Sequence, residues 1–373
     1  MFGFSFGKKR ILGIDVGTST IKMVELEFWG DKPPRLSNYA WMDIPETSKG
    51  NGGNNKRQEN FGTVAAECLK KMYKEAEFTA KGAYVSVSAF GGMVTIIDLP
   101  AMPESELEQA VRFEAHKYIP TSLDEVAISW EVIDGGLLVE KENKTILAKQ
   151  SEENDVAVDS PKKIQVFLAA ALKSEILTYE KMIALAGLKL KGIEIESISM
   201  VESLVGNDQG SFIIVDIGSR VCNVIYVEKG IIRASRNIDA GGADITRTIA
   251  KSMNISEERA ESFKTSGKNF FSADSSLRFS TLDMIFSEVA RILEVSSKNK
   301  GEHNLGAIIL SGGTAGLIGL DAYFQSKFGV KTIIGNPFGR IDYDKKLEPK
   351  IEKIKSEFSV CVGLALKETE KQI

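Results

Sequence analysis

The segment Asp15-Val-Gly-Thr-Ser-Thr-Ile-Lys22 sets a small residue, Gly17, where backbone N–H groups can approach an anion, with Thr18, Ser19 and Thr20 as hydroxyl donors and Lys22 as a cation. Phosphate oxygens are the partners this set suits. Asp15 suits a different task, because Mg²⁺ binds through few carboxylates and keeps most of its water shell. A second turn, Asp216-Ile-Gly-Ser-Arg220, supplies Gly218, Ser219 and Arg220 beside Asp216. A third, Ser311-Gly-Gly-Thr-Ala315, offers Gly312, Gly313 and Thr314, where backbone can lie against a flat purine and its nearest phosphate. Taken singly, each turn has an ordinary reading as a hairpin or a helix start. Two such turns, each after an apolar strand, can clamp a polyphosphate from opposite sides of a cleft, and the set therefore predicts bound ATP or ADP with Mg²⁺ held through water by Asp15 and Asp216.

These turns need strands to carry them. Residues 11–28 read as an apolar strand, a turn and an alternating strand, and residues 212–228 repeat that order, followed by a turn at Lys229-Gly230 and a third strand. Asp216 and Gly218 follow Asp15 and Gly17 at one offset, far longer than a solenoid period, which predicts two duplicated α/β lobes. Between them come a polar loop at 47–60, a helix through Val64, Leu69 and Met72, strands at 83–89 and 94–98, and a helix from Glu104 to about Tyr118 with an acidic first turn. Then follow a strand at 126–133, a charged stretch at 140–163, a strand at 166–171, a helix to Gly187 and a strand at 192–198. Helices at 244–253 and 256–264, a strand at 305–311 and a last helix at 351–371 complete the reading.

Composition bounds the rest. A chain of 373 residues exceeds one typical domain, and with 43% hydrophobic residues each lobe can bury a core. No apolar run reaches the ~18 residues of a spanning helix. The net charge of −4, with no long Lys/Arg cluster, argues against nucleic acid as a partner. Cys68, Cys222 and Cys361 lie too far apart in sequence for a metal spacing and read as small buried hydrophobes in a reducing cytoplasm. The segment Met1–Arg10 has aromatics ahead of its basic residues, the reverse of a secretory signal, and reads as a short arm.

The order of these motifs resembles the actin and hexokinase superfamily, with Gly241-Gly-Ala-Asp-Ile-Thr-Arg247 and Glu261-Ser-Phe-Lys264 similar to the segments by which relatives of FtsA and MreB hold ribose and adenine. Glu106-Leu-Glu-Gln-Ala-Val-Arg-Phe-Glu-Ala-His-Lys-Tyr-Ile-Pro-Thr-Ser-Leu-Asp-Glu125 and the opening LGIDVGTSTIKMVEL are similar, more narrowly, to the PilM family of actin-like components in type IV pilus assembly. The resemblance implies an actin-like fold of two RNase H-like lobes, with Gly241, Gly242, Glu261 and Lys264 added to the nucleotide site. It implies first-lobe residues 10–91, an inserted FtsA-like 1C subdomain at 92–190, first-lobe remainders at 191–206 and 346–373, and a second lobe at 207–345.

It implies a partner as well: the short cytoplasmic N-terminal tail of a PilN-type bitopic membrane protein, with other pilus platform or motor components beyond it. The protein itself would be cytoplasmic, recruited to the inner face of the membrane and touching it only indirectly. Helical spacing makes Leu107, Val111 and Tyr118 one apolar stripe of the core. Arg112, Phe113, Tyr118, Ile119 and Pro120 are the candidate partner contacts, Phe113 and Ile119 forming an apolar stripe off the core one. Phe113 has a second reading, packed on a neighbouring strand. Glu196 matches the acid of the superfamily's first connecting segment and is the candidate water-orienting residue, with an ordinary exposed carboxylate as its other reading. Three functions stay open: an ATP-binding scaffold, an ATPase or small-molecule kinase, and an FtsA-like polymer.

Overall fold

Apolar residues on both faces of the first strand demand cover on both sides, and the structure supplies it. The structure is a computed structural model that describes residues 8–30, 32–45, 54–88, 91–134, 163–272, 275, 277–298 and 305–370. The start of the N-terminal arm, positions 47–53 of the polar loop and the charged stretch up to 162 lie outside them. β1 (Lys9–Val16) and β2 (Thr20–Phe28) pair antiparallel, with Asp15 opposite Lys22. β3 (Arg35–Asp43) continues beyond β2, while β4 (Gly82–Val87) and β8 (Lys189–Ile195) add parallel strands beside β1, giving the order β3-β2-β1-β4-β8.

The second sheet has the same plan. β9 (Ser211–Ile217), β10 (Cys222–Glu228) and β11 (Ile231–Ile238) form an antiparallel meander, and β12 (Ala307–Ser311) and β13 (Thr332–Ile334) extend it in parallel, in the order β11-β10-β9-β12-β13. The sequence repeat is a repeat of topology.

A third, antiparallel sheet has the order β5-β7-β6, from β5 (Gly92–Pro100), β6 (Val126–Asp134) and β7 (Lys163–Leu172). α2 (Glu104–Ala115) covers it, and Ile97, Leu107, Val111, Ile164 and Val166 share its core.

Helices close the layers. α1 (Asn54–Glu75) and α3 (Lys173–Leu185) pack on one face of the first sheet, where Leu69, Met182 and Ile183 meet Leu12, Ile14 and Met23. α4 (Glu196–Leu204) and α10 (Ser359–Glu370) lie between the two large sheets, where Met200, Val362 and Leu364 join Ile11 and Val24 to Ile214 and Ile225. α10 is buried all round from Val360 to Leu366, as a helix without a polar face must be. Gly363 is the close-approach point: a Cβ there would stand 1.8 Å from the Ser199 carbonyl of α4. The outer face of the second sheet carries α5 (Gly242–Met253), α6 (Glu257–Thr265), α7 (Ser280–Lys298) and α8 (Leu320–Phe328), around Ile249, Ala260, Phe286 and Phe324. Among the described residues no helix is long and apolar enough to cross a membrane.

Four expectations need correction. The polar loop ends early, because Asn54 already starts α1: a helix anchored by Ala65, Leu69 and Met72 propagates back through residues that carry no apolar pattern. The strand expected to run to Ile198 stops at Ile195, and Glu196 opens α4. The last helix is two, α9 (Glu348–Ile354) and α10, split by a 3-10 turn at Lys355–Glu357. α2 ends at Ala115, so helical spacing does not reach Tyr118: Ala115 takes the third core place, Tyr118 is 42% exposed, and Ile119 turns inward at 6%.

Candidate functional site

Both glycine turns close in the same way. Gly17 N–H donates to the Thr20 carbonyl at 3.1 Å and Gly218 N–H to the Val221 carbonyl at 2.9 Å. Ser19 Oγ donates to Ser219 Oγ at 3.0 Å, so residues 200 positions apart hold the two turns together. The second turn also docks the start of α5: Gly242 N–H donates to Gly218 O at 2.9 Å and Ala243 N–H to Ser219 O at 2.8 Å. A Cβ on Gly241 would meet both of those carbonyls at 2.6 Å, which is why glycine stands there. The Asp244 carboxylate caps Gly241 N–H at 2.9 Å.

The remaining motifs join this chain of contacts. Lys264 is 8% exposed, donates to Thr246 Oγ1 at 2.8 Å and to Gly242 O at 3.2 Å, and pairs with Glu261 at 2.7 Å. A Cβ on Gly242 would meet Thr314 Oγ1 at 2.5 Å. Gly312 has φ +87°, and a Cβ there would stand 2.5 Å from Ile217 O, at the end of the strand that leads into the second turn. Gly313 has its Cβ direction open to 4.0 Å, where the Glu357 carboxylate begins.

Charge is concentrated behind the turns. Lys22 Nζ lies 3.7 Å from Asp15 Oδ2, and Ser86 Oγ donates to Asp15 Oδ1 at 3.2 Å. Burial alone would lower the Lys22 ammonium, but Asp15, Glu357 and Asp216 outweigh it and hold the group above its usual value. Burial raises the Asp216 carboxyl to about 6, against the hydrogen bond from Ser311 and the charge of Lys22, which pull it down. The pairing across its hairpin is with a neutral residue, Asn223.

In front of the turns a cavity of about 650 Å³, within the ~300–1,000 Å³ of small-ligand sites, is lined by Gly17, Thr18, Ser19, Ser219 and Arg220, with Asp239, Asp244 and Arg247 opposite α3 residues Glu175 and Tyr179. Arg220 pairs with Asp239 at 3.2 Å and Arg247 with Asp244. These residues fit a nucleotide: turns whose glycines leave little room for a Cβ, hydroxyl donors and two arginines along the rim, and two carboxylates, Asp15 and Asp216, behind for a hydrated cation. Glu196 lies off this cavity and accepts from Asn223 Nδ2 at 3.5 Å. Glu357 and Arg247 were missing from the sequence-derived set. Arg247 closes a segment already singled out, whereas only the three-dimensional return of the 3-10 turn brings Glu357 near Gly313.

The candidate partner residues separate. Phe113 is 73% exposed and does not pack on a strand; Arg112 beside it pairs with Glu108 at 3.4 Å on the outer face of α2. Tyr118, Ile119 and Pro120 line a second cavity, a groove of about 570 Å³ between β5 and β11 whose base reaches Ile195 and Ser197.

Comparison with known proteins places this geometry. The structure described as the "PilM-PilN type IV pilus biogenesis complex" aligns with a TM-score of 0.75 at 24% identity, over 96% of this chain and 98% of that one. EutJ from Carboxydothermus hydrogenoformans, an ethanolamine utilization protein, aligns at 0.51 with 16% identity over 97% and 91%, and MreB 5 of Spiroplasma citri bound to AMPPNP at 0.50 with 12% identity over 98% and 97%. At these identities the likeness establishes the actin-like fold. Residues 13–369 match the profile of the family described as "Type IV pilus assembly protein PilM", and the chain belongs to that family.

Proposed function

We propose that this protein is a nucleotide-binding scaffold that grips the cytoplasmic N-terminal tail of a PilN-type membrane protein and so is held at the inner face of the membrane. The observation that carries the nucleotide part is the unbroken run of contacts from Ser19 through Ser219 and Gly242 to Lys264 and Thr314. The two turns would take the phosphates of ATP or ADP, Glu261 and Lys264 the ribose and adenine side, Gly312 to Thr314 the ring, and Asp15 and Asp216 the waters of Mg²⁺. The metal ion would neutralise phosphate charge that Lys22, already facing three carboxylates, cannot offset alone.

The groove supports the partner part, and the family's tie to a pilus platform supports the choice of tail. Tyr118, Ile119 and Pro120 would contact that tail, with Phe113 and the Arg112–Glu108 pair exposed on the outer face of α2 for a second platform component. α4 lies near both: its Glu196 meets Asn223, which pairs with Asp216 behind the second turn, and its Ser197 lines the groove. Titrating a labelled PilN-type tail peptide against the protein with ADP, with a non-hydrolysable ATP analogue and with neither tests the reading. Saturable binding that Ile119→Asp abolishes is expected; absence of binding in all three states overturns it. Glu196 carries the ATPase alternative: phosphate release no greater than that of Asp15→Ala would remove the alternative, and release unchanged in Glu196→Gln would remove Glu196's part in it.

A further inference from the structure

β12 is buried along its whole length, and its last residue, Ser311, carries its one polar side chain. A hydroxyl so placed must find its partners inside the protein. Ser311 stands in register with Asp216 on the parallel neighbour β9, so both side chains leave the sheet on one face, and its hydroxyl donates to the Asp216 carboxylate. The same oxygen lies 3.0 Å from Ser359 Oγ and 3.2 Å from the Ser356 carbonyl.

A serine has one proton to give, and three acceptors stand around this one. Charge decides between them, because a hydrogen bond to an ionised group is roughly twice as strong as a neutral one. The Ser356 carbonyl is served in any case, by Gly312 N–H at 2.8 Å. That leaves Ser359, the first residue of α10, which is buried with Ser311 Oγ beside its hydroxyl. With Asp216 ionised, one arrangement gives each hydroxyl proton an acceptor: Ser359 donates to Ser311, and Ser311 donates to Asp216. Ser203 of α4 donates to the Ser359 carbonyl at 2.7 Å, so it holds the backbone at the head of this chain without joining the hydroxyls. The chain crosses the molecule, since α10 packs against β1 of the first sheet whereas Asp216 belongs to the second.

We propose that Ser311 and Ser359 are positioning residues for the cation site, a two-hydroxyl chain that holds the Asp216 carboxylate in the orientation in which it accepts from the water shell of a divalent cation. Neither touches the cation or the nucleotide. Groups that orient a metal-binding carboxylate from behind set affinity for the metal through it, although they are no part of its ligand set. The proposal rests on the reading that Asp216 holds the waters of Mg²⁺ beside a bound nucleotide. It deepens that reading by naming what aims the carboxylate.

Mg²⁺ is titrated into the full chain with a fixed amount of a fluorescent, non-hydrolysable ATP analogue, and the Mg²⁺ concentration at half-maximal binding is read together with Tm. Ser311→Ala should raise that midpoint roughly tenfold, the lower end of what loss of such an orienting group costs, while saturating Mg²⁺ restores full binding. Ser359→Ala should raise it about threefold, and the double variant no further than Ser311→Ala alone, because Ser359 acts only through Ser311. Ser203→Ala is the structural control: it loses a buried hydrogen bond and should lower Tm with the midpoint unmoved. A folded Ser311→Ala with the wild-type midpoint, or a Ser359 effect undiminished in the double variant, overturns the chain and leaves the nucleotide reading standing. Should Ser311→Ala fail to fold, Ser359→Ala decides alone, an unmoved midpoint counting against the chain. If the wild type binds no analogue at any Mg²⁺ concentration, the nucleotide reading fails, and the chain's role with it.

Discussion

The two glycine turns share a backbone and differ in what lies behind them. Each closes with an N–H to carbonyl bond of nearly equal length, and each follows a strand whose penultimate residue is Asp. Across the first hairpin Asp15 meets Lys22; across the second Asp216 meets Asn223. Duplication copied the cradle but not the charge. One cation therefore serves two carboxylates and Glu357 as well, and Asp216, partly buried beside a neutral partner, is raised to about 6 by desolvation. A site so arranged carries an excess of negative charge before any phosphate arrives. That is the physical reason to expect nucleotide binding to depend on a divalent cation.

The largest test of this asymmetry is Lys22→Met. It leaves Asp15, Asp216 and Glu357 without their shared cation, and removing one partner of a largely buried pair costs about 3 kcal/mol. Urea denaturation should show that loss at pH 7.5, and nucleotide binding should disappear with it.

Asp216→Asn should act in the opposite direction on the nucleotide-free protein. With its carboxyl raised to about 6 from an ordinary 3.8, the folded state holds the proton more tightly than the unfolded one. That contribution is fully present below pH 3.8 and is lost as pH climbs through about 6, so wild-type stability should fall across that window. At pH 7.5 the Asn variant should be the more stable by about 2 kcal/mol, with a flatter profile in denaturant melts from pH 4 to 7.5. A variant no more stable than wild type at pH 7.5 would mean that Asp216 is well solvated.

The shared backbone predicts equal, smaller effects. A Cβ on Gly17 would meet Thr20 O at 3.0 Å and one on Gly218 would meet Val221 O at 3.1 Å. Gly17→Ala and Gly218→Ala should each cost about 1 kcal/mol, and thermal melts should place them alike. A large difference between them would break the likeness of the two turns.

How far the sequence reveals this molecule follows from the range of the signals. The two hairpins were legible because alternation, a Gly turn and a following strand all lie within short segments, and their repetition pointed to a duplicated fold. The helix ending at Ala115 was read three residues too long, since Tyr118 continues the apolar period although the chain has already left the helix. The early start of α1 was hidden by Asn54–Asn60, which have no apolar pattern and depend on packing further along the helix. Glu357 and the groove beside Ser197 carry no local signal at all: the first rests on a chain return near the C-terminal helix, the second on β5 and β11, far apart in sequence, lying side by side.

The central claim is that both turns hold one nucleotide between them, with a carboxylate from each behind it. Isothermal titration of a non-hydrolysable ATP analogue with Mg²⁺ into the wild type, Asp15→Ala and Asp216→Ala addresses it directly. The account predicts one site per chain in the wild type, no binding when Mg²⁺ is withheld, and loss of binding in both variants. Binding that survives in either variant at wild-type affinity would contradict it.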